Sequence, residues 1–131
     1  MRQVPYLIIG SGRMATHMQR YFDLLHLSYL TWSRKKNTSS ELHLLAQQSE
    51  RVLLLIKDDV IANFIAEYGF LKDKILIHFS GNLLLEGVYS AHPLMTFIPE
   101  AYDLATYQII PYILEENAPD FNQLLPGLPN H

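Results

Sequence analysis

The residues of this chain best equipped for chemistry are Gly10-Ser11-Gly12-Arg13-Met14-Ala15. They follow the apolar run Val4–Ile9 and precede a segment of helical spacing, so the pattern G-x-G-x-x-G/A falls at a strand-to-helix turn. Each position has a physical role there. Gly10 permits a sharp turn, Gly12 lacks the Cβ that would keep a pyrophosphate from the backbone, and Ala15 is small enough for the helix to pack on the strand. Free N–H groups at the helix start, aided by the helix dipole, then face an anion. The turn therefore points to a dinucleotide site; the alternative is a purely structural turn, or a site for another phosphate-bearing ligand such as an adenine nucleotide or flavin.

A second stretch distinguishes between cofactors. Thr31-Trp32-Ser33-Arg34-Lys35-Lys36 stands where NAD-binding domains usually place the carboxylate that holds the ribose 2′-hydroxyl. Here there is no Asp or Glu. The Ser33 hydroxyl, the Arg34 guanidinium and the Lys35 ammonium attract a 2′-phosphate that a carboxylate would repel. One charge-assisted contact of this kind contributes roughly 1.5–3 kcal/mol. The expectation is NADP(H) over NAD(H), against the alternative of a solvated basic turn.

These groups need a scaffold that brings strand ends together. Apolar runs recur at Val4–Ile9, Tyr29–Trp32, Val52–Ile56, Ile75–Phe79, Val88–Ala91 and Ile109–Leu114, the first four starting about 24 residues apart. That interval fits one strand, one helix and two loops. Between them lie helical stripes: Met14, Met18, Tyr21, Phe22 and Leu25; then Leu42, Leu45 and Ala46; then Ile61, Phe64, Ile65 and Tyr68. Thr38 with Glu41 forms a candidate capping box, Asp58 or Asp59 can cap the third helix, and Gly69 can end it. Asp120–Leu125 can form one or two helical turns. The expected fold is α/β: a doubly wound, mainly parallel, Rossmann-like sheet in a single domain. It spans residues 1–125, with 126–131 an exposed tail or the start of a linker.

Composition sets the outer limits. The chain has 131 residues, 49% of them apolar, no cysteine and a formal net charge of −3. A core can form without disulfides or metal, thiolate chemistry is excluded, and no basic field favours nucleic acid. The apolar runs are too short to span a bilayer, and a cytoplasmic protein without membrane partners is expected.

The stretches "GSGRMATHM", "WSR", "LLLIKDDVI", "IHFSGNL" and "SAHPLMTF" together resemble the NADP-binding domain of a superfamily of Rossmann-like oxidoreductases. It includes pyrroline-carboxylate reductase, F420-dependent NADP reductase and 6-phosphogluconate dehydrogenase. The nearest likeness is to a bacterial branch with an added C-terminal helical domain. The resemblance implies that the backbone at Ser11–Met14 holds the pyrophosphate, with Arg13 able to reach a phosphate. It implies that Ser33 and Arg34 hold the 2′-phosphate. Lys57 and Asp58 then lie along the path from adenosine to nicotinamide, and Ser80 and Gly81 lie near the nicotinamide. His92 resembles the His-Pro turn bordering the substrate side in prephenate dehydrogenase-like enzymes. The expected reaction is hydride transfer between NADP(H) and a small carbonyl or imine substrate. The alternative is a non-catalytic dinucleotide sensor or interaction module. Superfamily members usually close the substrate pocket and dimerise through the helical domain, so a homodimer is an expectation too.

His92 is the candidate proton donor because imidazole titrates near neutral pH; otherwise it is a loop histidine bonded to backbone. His78 reads as a satisfied core or sheet-end histidine, His17 and His26 as solvated or helix-end residues, and His43 as a surface residue of the second helix. Their spacing with the carboxylates gives no metal site. Glu115-Glu116 read as a solvated strand end, and Phe97, Tyr102 and Tyr107 as core, pocket or dimer aromatics.

Overall fold

A computed structural model describes residues 3–129. Six strands form one sheet: β1 (Val4–Ile9), β2 (Tyr29–Trp32), β3 (Ser49–Leu54), β4 (Ile75–His78), β5 (Val88–Pro93) and β6 (Tyr112–Leu114). Their order is β2-β1-β3-β4-β5-β6, parallel except for the antiparallel edge pair β5–β6. Among the described residues, five α-helices accompany them: α1 (Arg13–Leu24), α2 (Ser39–Gln47), α3 (Asp58–Glu67), α4 (Leu104–Gln108) and α5 (Phe121–Leu124). The mainly parallel α/β sheet expected from the sequence is present.

Strand alternation divides the core in two. Tyr6 and Ile8 of β1, Leu53 of β3 and Ile77 of β4 pack on one face with Ala15, Met18, Tyr21 and Phe22 of α1. Leu7 and Ile9, Val52 and Leu54, and Leu76 pack on the other with Leu42 and Ala46 of α2 and Ile61 and Phe64 of α3. The central strands are buried on both faces, so they read as continuous apolar runs. Each fully buried side chain of this size contributes about 1.5–3 kcal/mol.

Local sequence explains the helix ends. The capping box forms as expected: Thr38 Oγ1 accepts from Glu41 N–H, and Glu41 Oε1 accepts from Thr38 N–H at 2.9 Å. α3 departs from expectation. Its N-cap is Lys57, without a side-chain cap bond, and Asp58 and Asp59 sit in its first turn. Gly69 does not end it; Tyr68 follows the last helical residue, and a 3-10 turn, Gly69–Asp73, continues from there. His26 closes α1 in the left-handed region, at φ 57°.

The last third corrects two further expectations. The run Ile109–Leu114 is not one strand. Ile109 ends α4, Pro111 cannot donate to a ladder, and only Tyr112–Leu114 pair with β5. Nor is 126–131 an exposed tail throughout. Leu128 is only 4% exposed within the first core, and Tyr6 Oη–H donates to Pro126 O at 2.6 Å. Asn130 and His131 lie outside the described residues. Among the described residues, no helix is long and apolar enough to cross a membrane.

Candidate functional site

The glycine turn leaves β1 between the ends of its two neighbours. Gly10 N–H donates to Trp32 O at 3.0 Å, and Leu55 N–H donates to Ile9 O at 2.9 Å. Gly10 has φ +134°, and a Cβ there would overlap the Leu55 carbonyl oxygen, so the fold itself requires glycine. Gly12 is different. It has φ −82°, and a Cβ built on it would meet no protein atom within 4 Å. No packing contact among the described residues demands glycine at 12. Gly12 is also the N-cap of α1, makes no side-chain cap bond, and has no acidic residue in the turn that follows. The first N–H groups of α1 are therefore left for an external acceptor.

This turn opens into a cleft of about 590 Å³. Its wall brings together Gly10, Ser11, Gly12, Arg13, Met14, Ser33, Arg34, Lys35 and Lys57, from the ends of three adjacent strands. Trp32, Ile56, Val60 and Phe64 make much of the remaining wall apolar. Asp58, Ser80, Gly81 and His92 line an adjoining cavity of about 310 Å³. Met14, Leu55 and Ile56 are common to both walls. The residues named from sequence are thus distributed over two neighbouring cavities along the carboxyl ends of the strands. No family model matches this chain, and no curated protein or solved structure matches it.

Two cations of the first cleft already have partners. Arg34 Nη2 donates to Glu67 Oε1 at 2.8 Å, and its guanidinium lies 5.4 Å from the Phe64 ring centroid and 5.7 Å from that of Tyr68. The basic stretch after β2 holds no carboxylate, but α3 brings one to it. Arg34 is held further into its charged form by the bond to Glu67, and Glu67 is pushed below the usual carboxylate range by the same bond. Both side chains are half-exposed, at 55% and 52%, and an exposed ion pair of this kind is a weak hold. Arg13 Nη1 donates to Phe97 O at 3.2 Å, leaving the rest of its guanidinium for another acceptor.

The second cavity is more tightly bonded. Ser80 Oγ–H donates to Asp58 Oδ2 at 2.6 Å, Asn82 N–H donates to Ser80 Oγ at 3.1 Å, and Ser90 Oγ–H donates to Ser80 O at 2.9 Å. The His92 ring lies against Gly81, where a Cβ would come within 2.9 Å of it. Its Nδ1 lies 3.0 Å from Phe79 O, a carbonyl that can only accept, so Nδ1 carries the proton and Nε2 presents a lone pair in the neutral ring. His92 is therefore a backbone-bonded histidine that still offers one nitrogen to the cavity.

Two histidine expectations change. His78 is fully buried and accepts from Ser80 N–H at Nδ1, but its Nε2 makes no hydrogen bond of good geometry. Desolvation pushes its pKa down, opposed by the Asp58 and Glu115 charges and by the nearby Leu83 backbone. His17 is not solvated: it is 3% exposed, with Nε2 2.6 Å from Ile98 O and Nδ1 2.9 Å from Tyr107 Oη. Phe97, Tyr102 and Tyr107 surround it, which places these aromatics in packing rather than in the cleft. His43 is on the surface of α2, as expected, stacked on Phe70. Glu115 is not merely solvated, since its Oε1 accepts from Ser90 N–H at 2.7 Å. Among the described residues, no group of three or more His, Asp or Glu is placed to hold a metal.

Proposed function

We propose that this chain is an NADP(H)-binding domain of an oxidoreductase, with the doubly wound topology and superfamily affinity that its sequence suggests. The observation that carries the reading is Gly12: a glycine whose missing side chain faces open space at an uncapped helix N-terminus, in the wall of the cleft. That is the requirement of a pyrophosphate approaching the backbone. The strand order supports it as well, because the cleft lies where β1 separates β2 from β3 and chain connections leave in opposite directions.

The residues present fit the group. The N–H groups that open α1 would hold the pyrophosphate, with a second N–H of Arg13 in reach. Val60 would line the adenine side, where Arg34, already seated over the Phe64 ring, would meet the adenine face. Ser33, Arg34 and Lys35 would bind the 2′-phosphate, which competes with the Glu67 carboxylate for Arg34. When bound, the cofactor supplies a hydride at C4 of the nicotinamide. The cavity beside Ser80 and Gly81 would take the reacting end, and the His92 Nε2 would hold or release a proton there.

A thermal-shift titration with NADPH, NADH, ATP and FAD tests this reading. A ligand at a hundredfold excess over its dissociation constant stabilises the native state by about 2.7 kcal/mol. NADPH is expected to give the largest shift; a larger shift with ATP or FAD refutes the assignment.

A further inference from the structure

β4 and β5 are parallel, yet only residues 79–87 join them. A parallel crossover ordinarily takes a dozen or more residues and a helix. Here none of the connecting residues is helical, and an isolated bridge ties Leu85 to Val88. Leu83 and Leu85 pack on the second core, while Leu84 stays exposed. The polar hold on this connection converges on one residue. Ser80 N–H donates to His78 Nδ1 at 3.1 Å, and Ser80 Oγ–H donates to Asp58 Oδ2 at 2.6 Å. Ser80 Oγ accepts from Asn82 N–H, and Ser80 O accepts from the Ser90 hydroxyl. Ser80, Gly81 and Asn82 are also part of the wall of the smaller cavity. Whatever moves Ser80 therefore reshapes that cavity.

Of the partners of Ser80, His78 is fully buried and can change its charge. A backbone N–H can only donate, so Nδ1 is the acceptor and the ring proton sits on Nε2. A second proton has to go on Nδ1, where the Ser80 N–H already points. The imidazolium loses that bond, faces another donor and sits away from water. Burial pushes the His78 pKa down, while the Asp58 charge on α3, the Glu115 charge beyond β6 and the Leu83 backbone act the other way. Glu115 is itself held by Ser90 N–H, and the remaining imidazole of this region, His92 on β5, donates from Nδ1 to Phe79 O. The closed arrangement thus resists a charge that two carboxylates favour once the ring is free to turn. That is the requirement of a two-state element biased by a proton.

We infer that residues 79–87 form a proton-operated gate on the smaller cavity, with His78 as its sensor: the neutral ring holds Ser80 in place, and protonation at Nδ1 releases it. An exposed imidazole takes up its proton at about pH 6.5. Below that value the open form gains about tenfold on the closed form per pH unit. The gate is closed above this range and opens as pH falls. It stands on the connection and the cavity wall alone, whatever ligand the cavity takes.

The test is an NMR titration of the full chain from about pH 7.5 to 5, following the His78 ring protons and the backbone amides. The Ser80, Gly81, Asn82 and Leu83 amides are expected to change together, at the midpoint of the His78 ring, while the amides of β1 and β3 stay unchanged. In His78→Asn, Oδ1 stands near the position of Nδ1, accepts from Ser80 N–H and takes up no proton; the transition at these amides is expected to vanish. Should that variant fail to fold, Asp58→Asn removes one of the charges that favour the imidazolium. The ring and loop midpoints are then expected to move together to lower pH. Loop amides that stay still through the ring midpoint, or a loop transition that survives His78→Asn, overturns the inference. So do midpoints that separate in Asp58→Asn, and loss of the β1 and β3 amides before those of the loop respond.

Discussion

Gly10 and Gly12, two positions apart, should respond differently to one added methyl group. Gly12→Ala places a Cβ where no protein atom lies within 4 Å, at an ordinary φ of −82°. Two small backbone effects then oppose each other. Alanine is a poorer N-cap than glycine by up to about 1 kcal/mol, whereas it restricts the unfolded chain by about 0.4–1 kcal/mol. The net change in stability is expected to stay within about 0.5 kcal/mol, a Tm shift of about 2 °C for a chain of this size. Gly10→Ala, by contrast, puts a Cβ into the Leu55 carbonyl at φ +134°. It should cost at least about 1–3 kcal/mol, or roughly 4–12 °C. Binding separates the two further. In Gly12→Ala the methyl group holds the pyrophosphate away from the α1 amides, and losing one charge-assisted bond of about 1.5–3 kcal/mol weakens NADPH by about tenfold or more. Differential scanning fluorimetry gives the first quantity and calorimetric titration the second. If Gly12→Ala destabilised the protein as much as Gly10→Ala while binding NADPH unchanged, Gly12 would be a folding residue and the reasoning would fail.

Other perturbations probe separate parts of the account. Glu67→Gln frees Arg34 from its carboxylate partner and is expected to tighten NADPH a few-fold while leaving NADH unchanged, read by calorimetry; weaker NADPH binding would show that Glu67 positions Arg34 instead. His17→Phe removes the bonds to Ile98 O and Tyr107 Oη, at about 0.5–1.5 kcal/mol each, while Tyr107 Oη still accepts from Tyr102 N–H, and the urea midpoint should fall accordingly. A loss below about 0.5 kcal/mol would mean that these bonds contribute nothing net. His78 is held neutral by burial, so its folded pKa lies below the ordinary 6.5. Its contribution is complete above that value and is lost as pH falls, because the unfolded chain takes up a proton that the folded one resists. Denaturation midpoints measured from pH 7 to 5.5 should decline in the natural protein and decline less in His78→Gln; parallel profiles would contradict this.

Much of the scaffold was legible because burial on both faces leaves a plain trace. Val4–Ile9 and Val52–Leu54 are apolar runs since helices cover both sides of β1 and β3. The capping box at Thr38 was equally plain, being a contact over three residues. Long-range polar pairing was not. The partner of Arg34 lies 33 residues on, at the far end of α3, and no local pattern announces it. His17 lies three residues after Met14 and four before Tyr21, within the apolar stripe of α1, so helical spacing alone could have placed it inside. Its partner Tyr107 is 90 residues distant and gives no such signal. Pro126-Gly127-Leu128 reads as a loose end because its residues favour turns, yet Leu128 closes the core. In the candidate site, the residues of the glycine turn and the basic stretch do gather in one cleft. Asp58, by contrast, was read as a possible helix cap and as a cofactor contact. Its bond to Ser80 across two loops emerges only when the strand ends are brought side by side.

The account rests most heavily on a grip at two phosphates, one at the α1 amides and one at Arg34. Calorimetric titration of NADPH and NADH against the natural chain and Arg34→Ala measures it directly. NADPH should bind about tenfold or more tightly than NADH, from one charge-assisted contact, and Arg34→Ala should remove most of that preference. Equal affinity for the two cofactors, or a preference that survives Arg34→Ala undiminished, would contradict it.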